Sequence, residues 1–308
     1  MKKIFFAIII LIYTCNSYGS VIRDNLFDVD FVDSYRGWAV GYWGTIIHTS
    51  DGGKTWKRQN SGIIENLVAL DFVDSNNGWA VGYWGIILHT SNGGKTWEKQ
   101  NSGVDYYLCD VSFIDPNNGW VVGEYGTILR TEDGGKTWKK QGEEVDILYE
   151  SCDFVDVNHG WIVGEFGTIM HTDDGGKTWQ RQSSGKEDIT LFAVDFINSE
   201  RGWVVGMDGF IITTNDGGNS WRVQKSDTKN PLYKVKFKDD NNGIAVGLKG
   251  TIIKTVDGGE HWEHIVLKNR ELRYNWLYGI SYSSKNAFIV GKSGMMLKID
   301  ERGEVYEK

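Results

Sequence analysis

Three features of the 308-residue sequence predict an all-β chain folded as a seven-bladed β-propeller of four-stranded antiparallel blades. A Gly-Trp-Ala-Val-Gly segment recurs along the chain, four short apolar runs accompany each recurrence, and 39 glycines stand against 2 prolines. The segment begins at Gly37, Gly78, Gly119, Gly160, Gly202 and Gly243, in steps of 41 or 42 residues, and a decayed seventh copy begins at Ala287. Units of about 40 residues with four strands each are propeller blades, and closing them into a ring leaves only short, protected strand edges.

Each unit builds its strands in the same order. The first run reads Leu-x-x-Val-x-Phe, as in Leu26 to Phe31 and Leu232 to Phe237. The second is the Gly-Trp-Ala-Val-Gly run, the third is Thr-Ile-Ile or a close variant (Thr45 to Ile47, Thr127 to Leu129), and the fourth follows a box ending in tryptophan. The runs are rich in Val, Ile, Phe and Trp and are separated by Asn-Gly, Asp-Gly and Gly-Gly pairs, which is strand and turn chemistry. No mature segment keeps a 3.6-residue apolar period long enough for a helix. Blades are expected at about 26–60, 67–101, 108–141, 149–182, 191–224, 232–265 and 277–307. The last unit ends with its own fourth strand. Blade 7 is therefore expected to pack on blade 1 with no strand exchanged between the termini.

Residues 1–19 read as a signal peptide: Lys2 and Lys3 precede a ten-residue apolar core, Ile4 to Tyr13, too short to span a bilayer. Small residues at Ser17 and Gly19 predict cleavage before Ser20, with a lipid-anchored N-terminus at Cys15 as the alternative. Either processing implies an exported protein in the periplasm, the cell envelope or the medium, and no later stretch is long and apolar enough for a membrane helix. The net charge of −8 becomes −10, 31 basic against 41 acidic residues, once the leader is removed. A nucleic-acid partner is excluded on that balance, since phosphate binding needs a basic face. The two mature cysteines, Cys109 and Cys152, share strand parity, so they are expected to face the same way around the ring and to stay free thiols.

The box reads Thr49-Ser50-Asp51-Gly52-Gly53-Lys54-Thr55-Trp56, and five further copies end at Trp97, Trp138, Trp179, Trp221 and Trp262, with Asn92 replacing the aspartate in the second. The seventh, from Asp300 to Tyr306, has lost the pattern. The aspartate can accept backbone N–H groups across a tight turn, the glycines supply positive φ, and the tryptophan buries. Six copies around a ring cannot be one active site, and one acid per box cannot supply the oxygens calcium demands. The box is the Asp-box, or bacterial neuraminidase repeat. With the Gly-Trp-Ala-Val-Gly strand, the chain resembles the photosystem II stability/assembly factor family of propellers. That resemblance implies a non-catalytic scaffold with a protein or peptide partner, and implies no cofactor.

Two sets of residues are candidates for a site. Asp30, Asp71, Ser112, Asp153, Asp195, Lys236 and Ser281 precede the last first-strand aromatic and are expected to line a wet axial channel. The turn between the second and third strands carries Tyr42-Trp43, Tyr83-Trp84, Glu124-Tyr125 and Glu165-Phe166 in blades 1 to 4. Tight hairpins favour Asn, Asp and Gly, so aromatic residues there predict either a binding arc on one rim or rings that pack on neighbouring turns and cap the core. Tyr106, Tyr107, Tyr149 and Glu150 lie in connections on the same face. The alternatives are a glycan ligand stacked on Trp43 and Trp84, or sialidase-like glycoside hydrolysis. The second lacks its expected Arg-Ile-Pro segment, since no arginine is followed by isoleucine, and retains only Glu124 and Glu165 as a carboxylate pair. His48, His89 and His171 share one repeat position with Arg130, Thr213, Lys254 and Lys298, so no catalytic residue and no metal site is expected.

Overall fold

The computed structural model describes residues 22–269 and 271–307; the leader and Cys15 lie outside them. Seven four-stranded antiparallel sheets follow one another along the chain, each with its strands in sequence order. Blade 1 comprises Leu26–Phe31, Gly37–Gly41, Thr45–Thr49 and Lys57–Gln59, and blade 7 comprises Leu277–Ser283, Asn286–Gly291, Met296–Ile299 and Val305–Glu307. Among the described residues no strand crosses between them, so blade 7 closes on blade 1 by packing, as expected. Phe288 stacks on Phe31 with ring centroids 4.2 Å apart, and the Phe31 N–H donates to Ser281 Oγ at 3.0 Å.

The junctions explain the repeated sequence. The tryptophan of each second strand lies flat on the phenylalanine that ends the next blade's first strand. Trp38–Phe72, Trp79–Phe113, Trp120–Phe154, Trp161–Phe196 and Trp203–Phe237 stack at 3.4 to 3.8 Å with interplanar angles of 6 to 9°. The box tryptophan meets the same phenylalanine edge-on, as Trp97 does with Phe72 at 5.8 Å. Gln59 locks the arrangement by donating to the Gly93 carbonyl at 2.9 Å and accepting from Trp97 Nε1 at 3.3 Å. Gly78, paired opposite Phe72, has to be glycine because a Cβ would stand 2.4 Å from that ring.

The box aspartates do structural work. Asp133 Oδ1 accepts the Thr137 N–H at 2.9 Å and the Thr131 hydroxyl at 2.8 Å, while Oδ2 accepts the Thr137 hydroxyl at 2.7 Å. The Thr55 hydroxyl and N–H together hold the Asp51 carboxyl down at about 2. Asn92 makes the same turn uncharged, taking the Thr96 N–H at 3.0 Å. The seventh unit, decayed in sequence, still turns on Asp300, whose Oδ1 accepts the N–H groups of Arg302 and Glu304, each at 3.0 Å.

Trp120→Ala is expected to lower the unfolding free energy by about 3–5 kcal/mol, since it empties a fully buried stack. Asp133→Ala should cost about 1–3 kcal/mol and Asp133→Asn less, because Asn92 shows that an uncharged side chain still accepts the turn N–H while the ionised carboxyl is the form the turn favours. Urea denaturation of the three variants beside the wild type checks both expectations.

Candidate functional site

The turns between second and third strands place the rim residues. In every blade the second turn residue is left-handed, with φ of 58° at Trp43, 60° at Trp84, 55° at Tyr125 and 56° at Phe166. Blades 5 to 7 carry Asp208, Lys249 and Ser293 there. A left-handed backbone costs a bulky L-residue on the order of 1–2 kcal/mol relative to glycine. The rings recover little of this by burial: Trp43 and Trp84 are 72% and 71% exposed, Phe166 56% and Tyr125 45%. The glycine that follows is forced. At Gly85, φ is 65° and a Cβ would lie 1.9 Å from the Val104 carbonyl oxygen.

In blades 1 to 4 the residue before the left-handed position turns back onto residues of the first strand and its connection. Tyr42 packs edge-on against Phe27 at 4.8 Å and Tyr83 against Tyr107 at 4.6 Å. Glu124 accepts the Tyr107 N–H at 3.0 Å and Glu165 the Leu148 N–H at 3.0 Å. The eight rim candidates thus divide into four outward rings and four inward groups. Two of the inward groups are carboxylates already committed to backbone donors.

Sequence parity misses a third set. In all seven blades the first strand carries a bulge at its second residue, which is Phe27, Val68, Cys109, Glu150, Phe192, Tyr233 or Tyr278. A bulge inserts an unpaired residue and re-aims its side chain. All seven line a chamber of about 150 Å³ at the axial mouth. Aromatic contact runs continuously around part of this mouth: Phe27 to Tyr278 at 5.1 Å, Tyr278 to Tyr233 at 5.9 Å, and Tyr233 to Phe192 at 5.3 Å. Tyr42 extends the cluster at one end, and Trp276 joins it 6.0 Å from Tyr278. The bulge also corrects the expectation for the cysteines. Both are free and buried, but Cys109 is a bulge residue at the mouth, while Cys152 packs between blades with Trp120 and Phe154.

Below the mouth lies a polar chamber of about 260 Å³. The predicted channel residues line it, and they tie the blades together. Asp30 accepts the Phe72 N–H at 3.0 Å, Asp71 that of Phe113 at 2.5 Å, Asp153 that of Phe196 at 2.5 Å, and Asp195 that of Phe237 at 2.6 Å. Asp28, Asp110 and Lys234, two residues earlier on their strands, join them. Lys236 pairs with Asp195 at 2.5 Å, and Lys234 lies 3.8 Å from both Asp28 and Asp110. Burial raises the Asp28 carboxyl to about 6 against the pull of Lys234. It also raises Asp30, Asp71 and Asp153. Burial pushes both thiols well above their ordinary range, which disfavours the nucleophilic thiolate.

His48, His89 and His171 stack on Trp38, Trp79 and Trp161 at 4.7 to 4.8 Å, and burial lowers the pKa of each. Among the described residues no group of three or more His, Cys, Asp or Glu is placed to hold a metal ion, and no helix is long and apolar enough to cross a membrane.

The fold and the site together define a closed seven-bladed Asp-box propeller with an aromatic axial mouth on the face opposite its boxes. The chain belongs to the photosynthesis system II assembly factor YCF48 family, whose sequence profile matches residues 19–103, 97–187 and 219–308. Among solved structures it is similar to YCF48 bound to D1 peptide, at 21% identity and a TM-score of 0.74 over 90% of this chain and 92% of the other. YCF48 from Cyanidioschyzon merolae matches equally well, at 21% identity and 0.74 over 92% and 97%. The xyloglucanase of Xanthomonas campestris shares the fold at 11% identity, with a TM-score of 0.73 over 93% of this chain and 54% of that one. No curated protein sequence matches.

The mouth makes stability depend on pH. Burial, then Glu165 and Asp110, raise the Glu150 carboxyl from its ordinary 4.5 to about 7; Tyr107, Cys109 and Lys234 also border it. The folded state then binds this proton more tightly than the unfolded state, so the contribution of Glu150 to stability falls as pH rises from about 4.5 through 7. Glu150→Gln should match the wild type in thermal melts below pH 4 and exceed it by a few degrees above pH 7. Equal melting temperatures at every pH would contradict the assignment.

Proposed function

We propose that this chain is an exported, non-catalytic propeller that binds a protein or peptide partner on the aromatic face and aids assembly of an envelope or membrane complex. The observation that carries this reading is the rim. Trp43, Trp84 and Phe166 occupy strained left-handed positions while largely exposed, and Tyr125 holds the same conformation half-buried against Tyr106. Neither backbone preference nor core packing accounts for rings there, whereas a bound partner would bury them. Family membership supports a scaffold, and a family structure of the same fold is described as bound to a D1 peptide. Export rests on the leader, residues 1–19. Glu124 and Glu165, the carboxylates a hydrolase would need, are each held by a backbone N–H, which weighs against catalysis.

Trp43→Asn/Trp84→Asn tests the rim directly, since asparagine tolerates the left-handed backbone. The double variant is expected to melt at or above the wild-type temperature and to lose a polypeptide that wild-type protein captures from native envelope extract. A lower melting temperature with capture unchanged would make the rings structural caps. Binding on a glycan array that the same variant abolishes would instead establish a sugar ligand.

A further inference from the structure

The axial mouth has two unlike halves. Blades 5, 6, 7 and 1 contribute the contiguous rings of Phe192, Tyr233, Tyr278, Phe27, Tyr42 and Trp276. Blades 3 and 4 contribute acids, with Glu150 on the chamber wall and Glu124 and Glu165 in the turns above it. Those two turn carboxylates are satisfied by backbone N–H groups. Glu150 differs: among the described residues no donor engages it, and what acts on it is burial together with the neighbouring acids Glu165 and Asp110. The floor of the chamber is closed by Lys234 between Asp28 and Asp110, so that ammonium already has two partners.

We propose that the axial mouth is a pocket for a basic side chain, a lysine or arginine carried by an extended polypeptide segment that lies across the aromatic rim. The proposal rests on the peptide-binding reading above and specifies which residue of the partner enters the axis. An apolar side chain would satisfy the rings but would bury Glu150 without a counter-charge, which is costly. An acidic one would meet Glu150, Glu165 and Asp110 at close range. A lysine or arginine satisfies both halves. Its methylenes lie against Phe27, Tyr233 and Tyr278, and its charged head reaches Glu150 with ring faces beside it. The channel beneath shows the same solution built internally, with Lys236 paired to Asp195 and Lys234 held between two aspartates. The net charge of −8 steers a basic segment toward the protein from a distance.

Selection of phage-displayed random peptides on the full chain tests the pocket whatever the natural partner is. Selected peptides that need Trp43 and Trp84 are expected to share one lysine or arginine flanked by apolar residues. In calorimetry, replacing that residue by norleucine should weaken binding to wild-type protein by about tenfold or more. Against Glu150→Gln, which removes a charge that holds no structural hydrogen bond, the same replacement should cost about twofold or less. Rim-dependent peptides without a shared basic position would overturn the pocket and leave peptide binding standing. So would peptides whose basic residue matters equally to both proteins. If no peptide is selected, or none depends on the rim tryptophans, both the pocket and the peptide-binding reading fall.

Discussion

A flat aromatic stack joins neighbouring blades at six of the seven junctions, and the rest of the structure is built on it. A second-strand tryptophan lies on the next blade's phenylalanine at 3.4 to 3.8 Å at five junctions, with aliphatic side chains packed around it, and Phe288 on Phe31 closes the ring with a smaller pair. Such contacts are local to a junction, so a ring of seven is held by a sum of nearest-neighbour terms. The one second strand without an aromatic ring is that of blade 6, where Ile244 stands in for tryptophan and packs with Ile280 and Ala287 of blade 7. There the channel belt also changes. Lys236 offers no acceptor for the next strand and turns instead to Asp195.

Stacking at the periphery sets what happens at the axis. Seven first strands converge there, and each meets the next through a polar side chain on a backbone N–H at six junctions. Buried carboxylates are tolerated because they are paired in this way, and two lysines from blade 6 offset part of their charge. Raised carboxyl pKa values along the channel and lowered ones in the boxes pull stability in opposite directions as pH changes. The left-handed turns recur in all seven blades whatever residue stands there, from Trp43 to Ser293, so rim conformation does not depend on an aromatic side chain.

Much of the architecture was legible in the chain itself. The 41-residue step, the four apolar runs and the repeated box each require strands of fixed length joined by fixed turns, so blade number, strand order and the structural role of the box aspartates followed from local chemistry. That Trp43 and Trp84 needed a special account was legible too, since no hairpin needs tryptophan at its tip, but whether they cap the core or face solvent was decided by the fold. The inward turn of Tyr42, Tyr83, Glu124 and Glu165 was not. Adjacent residues of a left-handed turn point apart, and that geometry appears only once the turn type is known.

The sequence by itself determined a sevenfold repeat of strands, because periodicity and turn residues are properties of neighbours along the chain. Only the tertiary structure decided what faces the axis. A bulge in each first strand breaks the alternation that parity relies on, so Cys109 and Cys152 part company and Phe27, Glu150, Phe192, Tyr233 and Tyr278 gather from distant segments into one mouth. The repeat places them at one position, the second of each first strand, but that this position faces the axis depends on the bulge and on ring closure.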